Sequence, residues 1–172
     1  MLPGMSETLV AVETNHGTFI IALDGARAPK SVENFLRYVD DKHYDGPVFH
    51  RVISGFMIQG GGFDERLEKK AVKAPIQNEA DNGLKNTRGA VAMARTNDPH
   101  SATAQFFVNT VDNGFLDHTR KDPSGWGYAV FGRVTEGMDV VDKIRALPTG
   151  AQGPFSKDAP LQPAVIKSVR RK

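Results

Sequence analysis

Residues 9–13 and 18–23 are runs of apolar and β-branched residues, and Asn15-His16-Gly17 separates the two. Such short runs mark strands, and an Asn/Gly break marks a tight turn, so the pattern predicts an opening hairpin. A helical period follows. Behind Ala28-Pro29-Lys30, the residues Val32, Phe35, Leu36 and Val39 fall at i, i+3, i+4 and i+7, while Glu33, Arg37 and Asp40 lie off that stripe. This predicts an amphipathic helix with Pro29 in its first turn. Short extended runs follow at 48–53 and 56–60, then a long irregular stretch containing the turn signal Asn82-Gly83. Further strands are predicted at 89–94, 105–110, 128–134 and 165–169. A second helix is predicted at 138–146, where Val140, Ile144 and Leu147 share a face and Pro148 ends it.

Seven or eight short strands with only two helices make a mainly β chain, and strands without crossover helices between them predict antiparallel pairing. The pattern alone leaves barrel and sandwich open. The 172 residues, 40% of them hydrophobic, fit one domain with a substantial core, and there is no repeat, linker or low-complexity stretch. Formal charge is only +2, with basic residues scattered apart from Lys69-Lys70 and Arg170-Arg171-Lys172, so no nucleic-acid partner is expected. The lack of cysteine excludes disulfides, thiol nucleophiles and thiolate metal sites. His16, His43, His50, His100 and His118 show no ligand spacing, so no metal is expected, and His50 reads as a hydrogen-bonded core histidine. Gly60-Gly61-Gly62 lacks a following Lys-Ser or Lys-Thr and reads as close backbone packing, not as a phosphate loop. Neither Ser54 nor Ser101 lies in a nucleophile elbow. No cofactor is expected. Apolar runs fall far short of the ~20 residues of a membrane-spanning helix, and residues 1–10 lack the pattern of an export signal, so a cytoplasmic location and no membrane partner are expected.

Candidate chemistry sits in two segments. Phe49-His50-Arg51-Val52-Ile53-Ser54-Gly55-Phe56-Met57-Ile58-Gln59-Gly60-Gly61 combines one fixed cation, one amide and large apolar side chains. Alternation places Arg51 on one side of its strand with Phe49 and Ile53. A guanidinium among apolar neighbours must snorkel outward or find an acceptor. Ala94-Arg95 through Gln105-Phe106-Phe107-Val108-Asn109 repeats the pairing of amide and aromatic.

These segments, with Asn86-Thr87-Arg88-Gly89 and Val130-Phe131-Gly132-Arg133-Val134-Thr135-Glu136-Gly137-Met138, resemble the cyclophilin family of peptidyl-prolyl cis/trans isomerases, and most closely its small single-domain bacterial members. The resemblance spans roughly residues 9–169. It implies a closed eight-stranded antiparallel β-barrel capped by two α-helices, with residues 1–8 as a short N-terminal extension and 9–172 as the isomerase domain. It also implies acceleration of rotation about X-Pro bonds during protein folding, by a non-covalent mechanism in which Arg51 stabilises the twisted amide, with Gln59 and Phe56 as its catalytic companions. The substrate groove implied comprises Met57, Ala94, Arg95, Gln105, Phe107, Phe115, Leu116 and Tyr128, with Arg95 contributing its main chain. The implied partners are proline-containing peptides and unfolded or native proteins, and a monomer is expected.

Arginine suits the catalytic role because it is always charged and carries its donors on a rigid fork. Two positions depart from the eukaryotic members of the family. Phe115 stands where tryptophan precedes leucine, and Tyr128 where histidine precedes the Val-Phe-Gly run. Phenylalanine lacks the indole donor, so weak cyclosporin binding is expected. A rival reading keeps the groove and discards the chemistry, as a proline-peptide binding module or chaperone. The presence of both Arg51 and Gln59 argues against it.

Overall fold

The computed structural model describes residues 7–172. The expected 1–8 extension lies mostly outside the described residues. Glu7 and Thr8 open strand β1 (Glu7–Thr14), where they pair with Asp24 and Leu23 of β2 (Gly17–Asp24). The predicted turn joins them, and Gly17 takes φ +121°, a conformation that side chains resist.

Helix α1 (Pro29–Asp40) starts on proline as expected. Its buried face is Val32, Phe35, Tyr38 and Val39 together with the polar Ser31 and Asn34, while Leu36 is only partly buried. Burial of those polar groups is tolerated because each has a partner. Asn34 donates to the Thr103 carbonyl at 2.7 Å. The backbone N–H and hydroxyl of Ser31 donate to Glu79 Oε1 at 2.7 and 2.8 Å. Ala28 at the N-cap has no side-chain oxygen, so a carboxylate from far along the chain satisfies the helix's free N–H groups and its positive end.

Strands β3 (Arg51–Ile53), β4 (Met57–Gly60), β5 (Ala90–Met93), β6 (Phe106–Asn109), β7 (Val130–Glu136) and β10 (Ile166–Arg171) join β1 and β2 in one curled sheet ordered β10-β1-β2-β7-β5-β6-β4-β3. Every adjacent pair is antiparallel. Helix α2 (Met138–Arg145) buries Val140, Val141 and Ile144 in the same interior as α1.

Closure of the barrel is incomplete. The outer strands β10 and β3 share no ladder, and the sheet is a half-barrel whose seam is crossed just before β3, where Phe49 N–H donates to Ala164 O (2.9 Å), Ile166 N–H to Pro47 O (2.8 Å) and Gly46 N–H to Ile166 O (2.8 Å). Pro47 and Pro163 flank that crossing, and a proline cannot donate to a ladder. A hairpin absent from the sequence reading, β8 (Thr149–Gln152) with β9 (Phe155–Pro160), lies against β3. Its strands bury only Ala159 and Pro160 and show no apolar alternation, so they carry no signal of period two.

The two faces of the sheet bury different clusters. Inside lie Val10, Phe19, Phe35, Phe49, Val91, Phe106, Val108 and Phe131, among others. Outside lie Met57, Ala90, Ala92, Ala94, Phe107, Leu116 and Val130, flanked by Phe56 and Tyr128.

Candidate active site

Cross-strand register builds the outer face. Arg51 stands opposite Gln59, Gln59 opposite Phe107, Phe107 opposite Ala92, and Ala92 opposite Val130. Directly opposed residues share a face of a pleated sheet, so residues scattered between positions 51 and 130 form one row. Met57, two positions before Gln59, joins that face, while Ile58 between them enters the interior.

A cavity of about 140 Å³ lies over this row. All the residues assigned to the site from sequence line it except Gln105 and Phe115. Met57, Phe107, Leu116 and Ala94 are buried and make the apolar floor, and Phe56, Tyr128, Arg51, Gln59 and Arg95 form the partly open rim. Gln105 lies in an adjoining cavity of about 230 Å³ that shares Gln59, Ala94 and Arg95 with the first. Phe115 is 76% exposed and stacks on Phe56 with ring centroids 5.7 Å apart. The lone tryptophan, Trp126, packs between His100 and His118, outside both cavities.

Several devices hold the polar groups. Gln59 Nε2 donates to Gln105 Oε1 at 2.9 Å. The Gln105 side chain lies so close over Gly62 that a Cβ there would meet its Cγ at 2.4 Å, which explains one glycine of the triplet as close packing. Arg95 was expected to contribute its main chain, yet its side chain is fixed as well. The guanidinium sits 4.3 Å from the Tyr128 ring centroid, donates twice to Gly127 O at 3.0 and 3.2 Å, and donates once to Thr96 O at 2.9 Å.

The sequence reading missed three buried asparagines behind the cavity wall. Asn109 Nδ2 donates to Asn86 Oδ1 (3.0 Å) and Asn113 Nδ2 to Asn109 Oδ1 (2.8 Å). Asn113 also donates to Phe56 O (2.9 Å), and Asn86 to Leu116 O (3.3 Å) and Tyr128 O (3.2 Å). One network thus fixes the backbone of three residues that line the cavity, and each buried amide is satisfied. The signal was present in Asn86-Thr87-Arg88-Gly89, but nothing local ties Asn86 to Asn109 or Asn113.

Two local expectations fail. Phe49 does not share Arg51's face, because regular strand starts only at Arg51 and the irregular backbone before it turns the Phe49 ring into the interior beside Phe106. His50 is buried as expected, but its Nδ1 has no hydrogen-bond partner. The imidazole rests instead between Phe63 (4.6 Å) and Phe155 (5.1 Å). Burial, and secondarily the neighbouring Arg51 charge, lower its pKa to about 4. It is therefore neutral at physiological pH.

Arg51 is exposed, lies 5.9 Å from the Phe56 ring centroid, and makes no hydrogen bond or ion pair among the described residues. A free guanidinium beside an apolar floor is an unused donor set. A larger cavity of about 290 Å³ contains Asp24, Arg88 and Arg133, but there Arg88 is paired with Asp142 and Arg133 with Glu7. Among the described residues no group of His, Asp or Glu side chains is placed to hold a metal ion, and no helix is long and apolar enough to cross a membrane.

The half-barrel and the row of Arg51, Gln59 and Phe107 define a class. The family model described as cyclophilin type peptidyl-prolyl cis-trans isomerase/CLD matches residues 9–171, and the chain belongs to that family. Peptidyl-prolyl cis-trans isomerase cyp18 of Streptomyces antibioticus is 62% identical over 94% of this chain and 96% of its own length. Peptidyl-prolyl cis-trans isomerase B of Escherichia coli is 54% identical over 94% of this chain and 98% of its own. The crystal structure of a cyclophilin type isomerase from Cryptosporidium parvum, 24% identical, superposes with a TM-score of 0.77 over 96% of this chain and 98% of that one, a likeness of fold.

Proposed function

We propose that this cyclophilin isomerises X-Pro bonds without covalent intermediates, metal or ATP, with Arg51 supplying the decisive interaction. Rotation breaks amide resonance against a barrier of roughly 18–20 kcal/mol. As the bond twists, the proline nitrogen becomes pyramidal and gains a lone pair. A preorganised donor at that point stabilises the twisted state more than either planar isomer, which is what acceleration requires. The observation that carries this reading is the uncommitted Arg51 guanidinium at the wall of an apolar cavity. At about 140 Å³ that cavity is smaller than the roughly 300–1,000 Å³ of pockets for drug-sized ligands, and it suits one compact ring.

Met57, Phe107 and Leu116 receive the proline ring, and Phe56 walls its edge. Gln59, held by Gln105, offers the second polar contact beside Arg51. The backbone at Ala94 and Arg95 and the rim at Phe115 and Tyr128 hold the flanking peptide, whose main-chain hydrogen bonds tolerate varied side chains. Residues 9–172 act as one isomerase domain on unfolded or native proteins, as a monomer, in the cytoplasm. Cyclosporin binds weakly, because the exposed Phe115 has no donor to offer.

The test is cis/trans exchange of an Ala-Pro peptide, measured by NMR with substoichiometric protein and chelator. Exchange should accelerate, and Arg51→Ala should lower turnover by on the order of 10² or more, the scale for loss of one preorganised donor. Stability should change little, since Arg51 bonds nothing in the fold. Peptide binding without acceleration would support the binding-module reading, and a folded Arg51→Ala protein with undiminished turnover would move the chemistry elsewhere.

A further inference from the structure

The cavity at Arg51 and its neighbour of about 230 Å³ share the wall made by Gln59, Ala94 and Arg95. Arg51, Arg95 and Lys69 line the pair, and no Asp or Glu does. Most arginines elsewhere are neutralised. Arg37, Arg88, Arg120, Arg133, Arg145, Arg170 and Arg171 each meet a carboxylate, and outside the groove only Arg27 and Arg66 do not, among the described residues. None of the three groove cations has a carboxylate partner among the described residues.

Arg95 is the informative member. Its three hydrogen bonds all go to main-chain carbonyls, and its flat face covers Tyr128. Carbonyls orient a guanidinium without cancelling its charge, so the fold holds a fixed, uncompensated cation on the shared wall. Apolar surface from Met57, Phe107 and Val72 lies beside it, and low-dielectric walls focus such a field into the cleft. Lys69, on the far cavity, adds charge of the same sign. Like charges left unpaired do nothing for stability, whereas an incoming carboxylate would meet several donors at once.

Because the two cavities adjoin, a peptide with its proline over the first has the residues on one flank within reach of the second. We propose that the groove selects proline peptides bearing a carboxylate side chain on that flank, with Arg95 and Lys69 as the specificity-determining residues. The inference rests on the isomerase reading of the Arg51 cavity. The carboxylate contact is remote from the rotating bond and is equal in the planar and twisted states. It therefore lowers KM and leaves kcat unchanged.

The experiment uses the full chain and a set of short X-Pro peptides. Glu, Gln or Lys is placed in turn at each of two positions before and two after the proline. With wild type, kcat/KM should be roughly three- to ten-fold higher for Glu than for Gln at one position or two adjacent ones on a single flank. The gain should sit in KM and shrink toward unity at high salt. Lys69→Glu should invert the order there in favour of the Lys peptide, and Arg95→Gln should flatten it. Each is read as a ratio between peptides, which cancels any general loss of activity. Equal kcat/KM for Glu and Gln at every position, with the Gln peptides still turned over, would overturn this inference and leave the isomerase reading intact. So would a Glu preference undiminished in Lys69→Glu and Arg95→Gln. Failure to accelerate any peptide, the Gln set included, would instead overturn the isomerase reading.

Discussion

The two faces of the sheet bury comparable residues to different ends. Phe106 and Phe107 are chain neighbours, both almost wholly buried, yet Phe106 enters the interior and Phe107 the groove. Inside, large rings meet edge to face, as in Phe35 with Phe106 at 5.5 Å and 90°, and fill the space between the sheet and two helices. Outside, β5 presents Ala90 and Ala92 and is followed by Ala94, whose short side chain lines the hollow that a bulkier residue would close. The interior is filled and carries no cation, whereas the outer cluster is left unfilled and ringed by guanidinium groups. Burial alone therefore does not separate structural from functional apolar residues here. Their neighbours do: small residues beneath and unpaired polar groups beside.

The sharpest way to break that comparison is to truncate both phenylalanines. Phe106→Ala should cost roughly 3–5 kcal/mol, the usual range for a large ring removed from a filled core. Phe107→Ala should cost less, since one side of its ring already borders open space, but it should raise KM for proline peptides several-fold. Denaturant unfolding paired with peptide kinetics checks both. Equal stability losses with unchanged KM would mean the two faces are one core.

A second contrast concerns acid. In the interior's neighbourhood, His50 has a folded pKa of about 4, below the unfolded value near 6.5. The unfolded chain thus binds the extra proton first as pH falls. The contribution of neutral His50 is complete above about pH 6.5, declines below it, and is lost by about pH 4, in total about 3 kcal/mol. Burial also lowers the His43 pKa, so it adds to the loss in the upper part of this range. The carboxylates of Asp40, Asp45 and Asp142, held low chiefly by hydrogen bonds from arginine, respond only at more acid pH. Stability measured from pH 7 to 4 should fall more steeply in wild type than in His50→Phe, which places a third ring between Phe63 and Phe155. Parallel slopes would place the acid sensitivity elsewhere.

The smallest expected effect tests the rim. Phe115→Trp restores an indole donor beside Phe56 and should strengthen cyclosporin binding by roughly 1 kcal/mol, the scale of one net hydrogen bond. Prolyl isomerisation should change much less. Tight binding by the wild type, or no gain in the folded variant, would shift attention to Tyr128 and the loop at 96–100.

Legibility differed by element. Both helices followed from periodicity, because their apolar residues face one interior, and the opening hairpin and the strands at 89–94 and 105–110 followed from their apolar runs, the latter two buried on both faces of the sheet. The weakly patterned β8–β9 hairpin did not, since it buries little more than Ala159 and Pro160. At the site, motif resemblance named the residues that surround the cavity, and the structure brings them together. It did not reveal the fixed Arg95 side chain, whose acceptors include the carbonyl of Gly127, 32 positions away.

By itself, the sequence determined the mainly β class, the helix faces and the identity of a guanidinium among apolar residues, because each is a property of local periodicity or of one side chain. Tertiary structure alone decided the register that sets Arg51 beside Gln59 and Phe107, the Glu79 carboxylate on α1, the asparagine network behind Phe56, and the seam left open between β10 and β3. Each of these joins groups far apart in the chain. Such pairings depend on where whole strands and loops come to rest, which no short window of residues encodes.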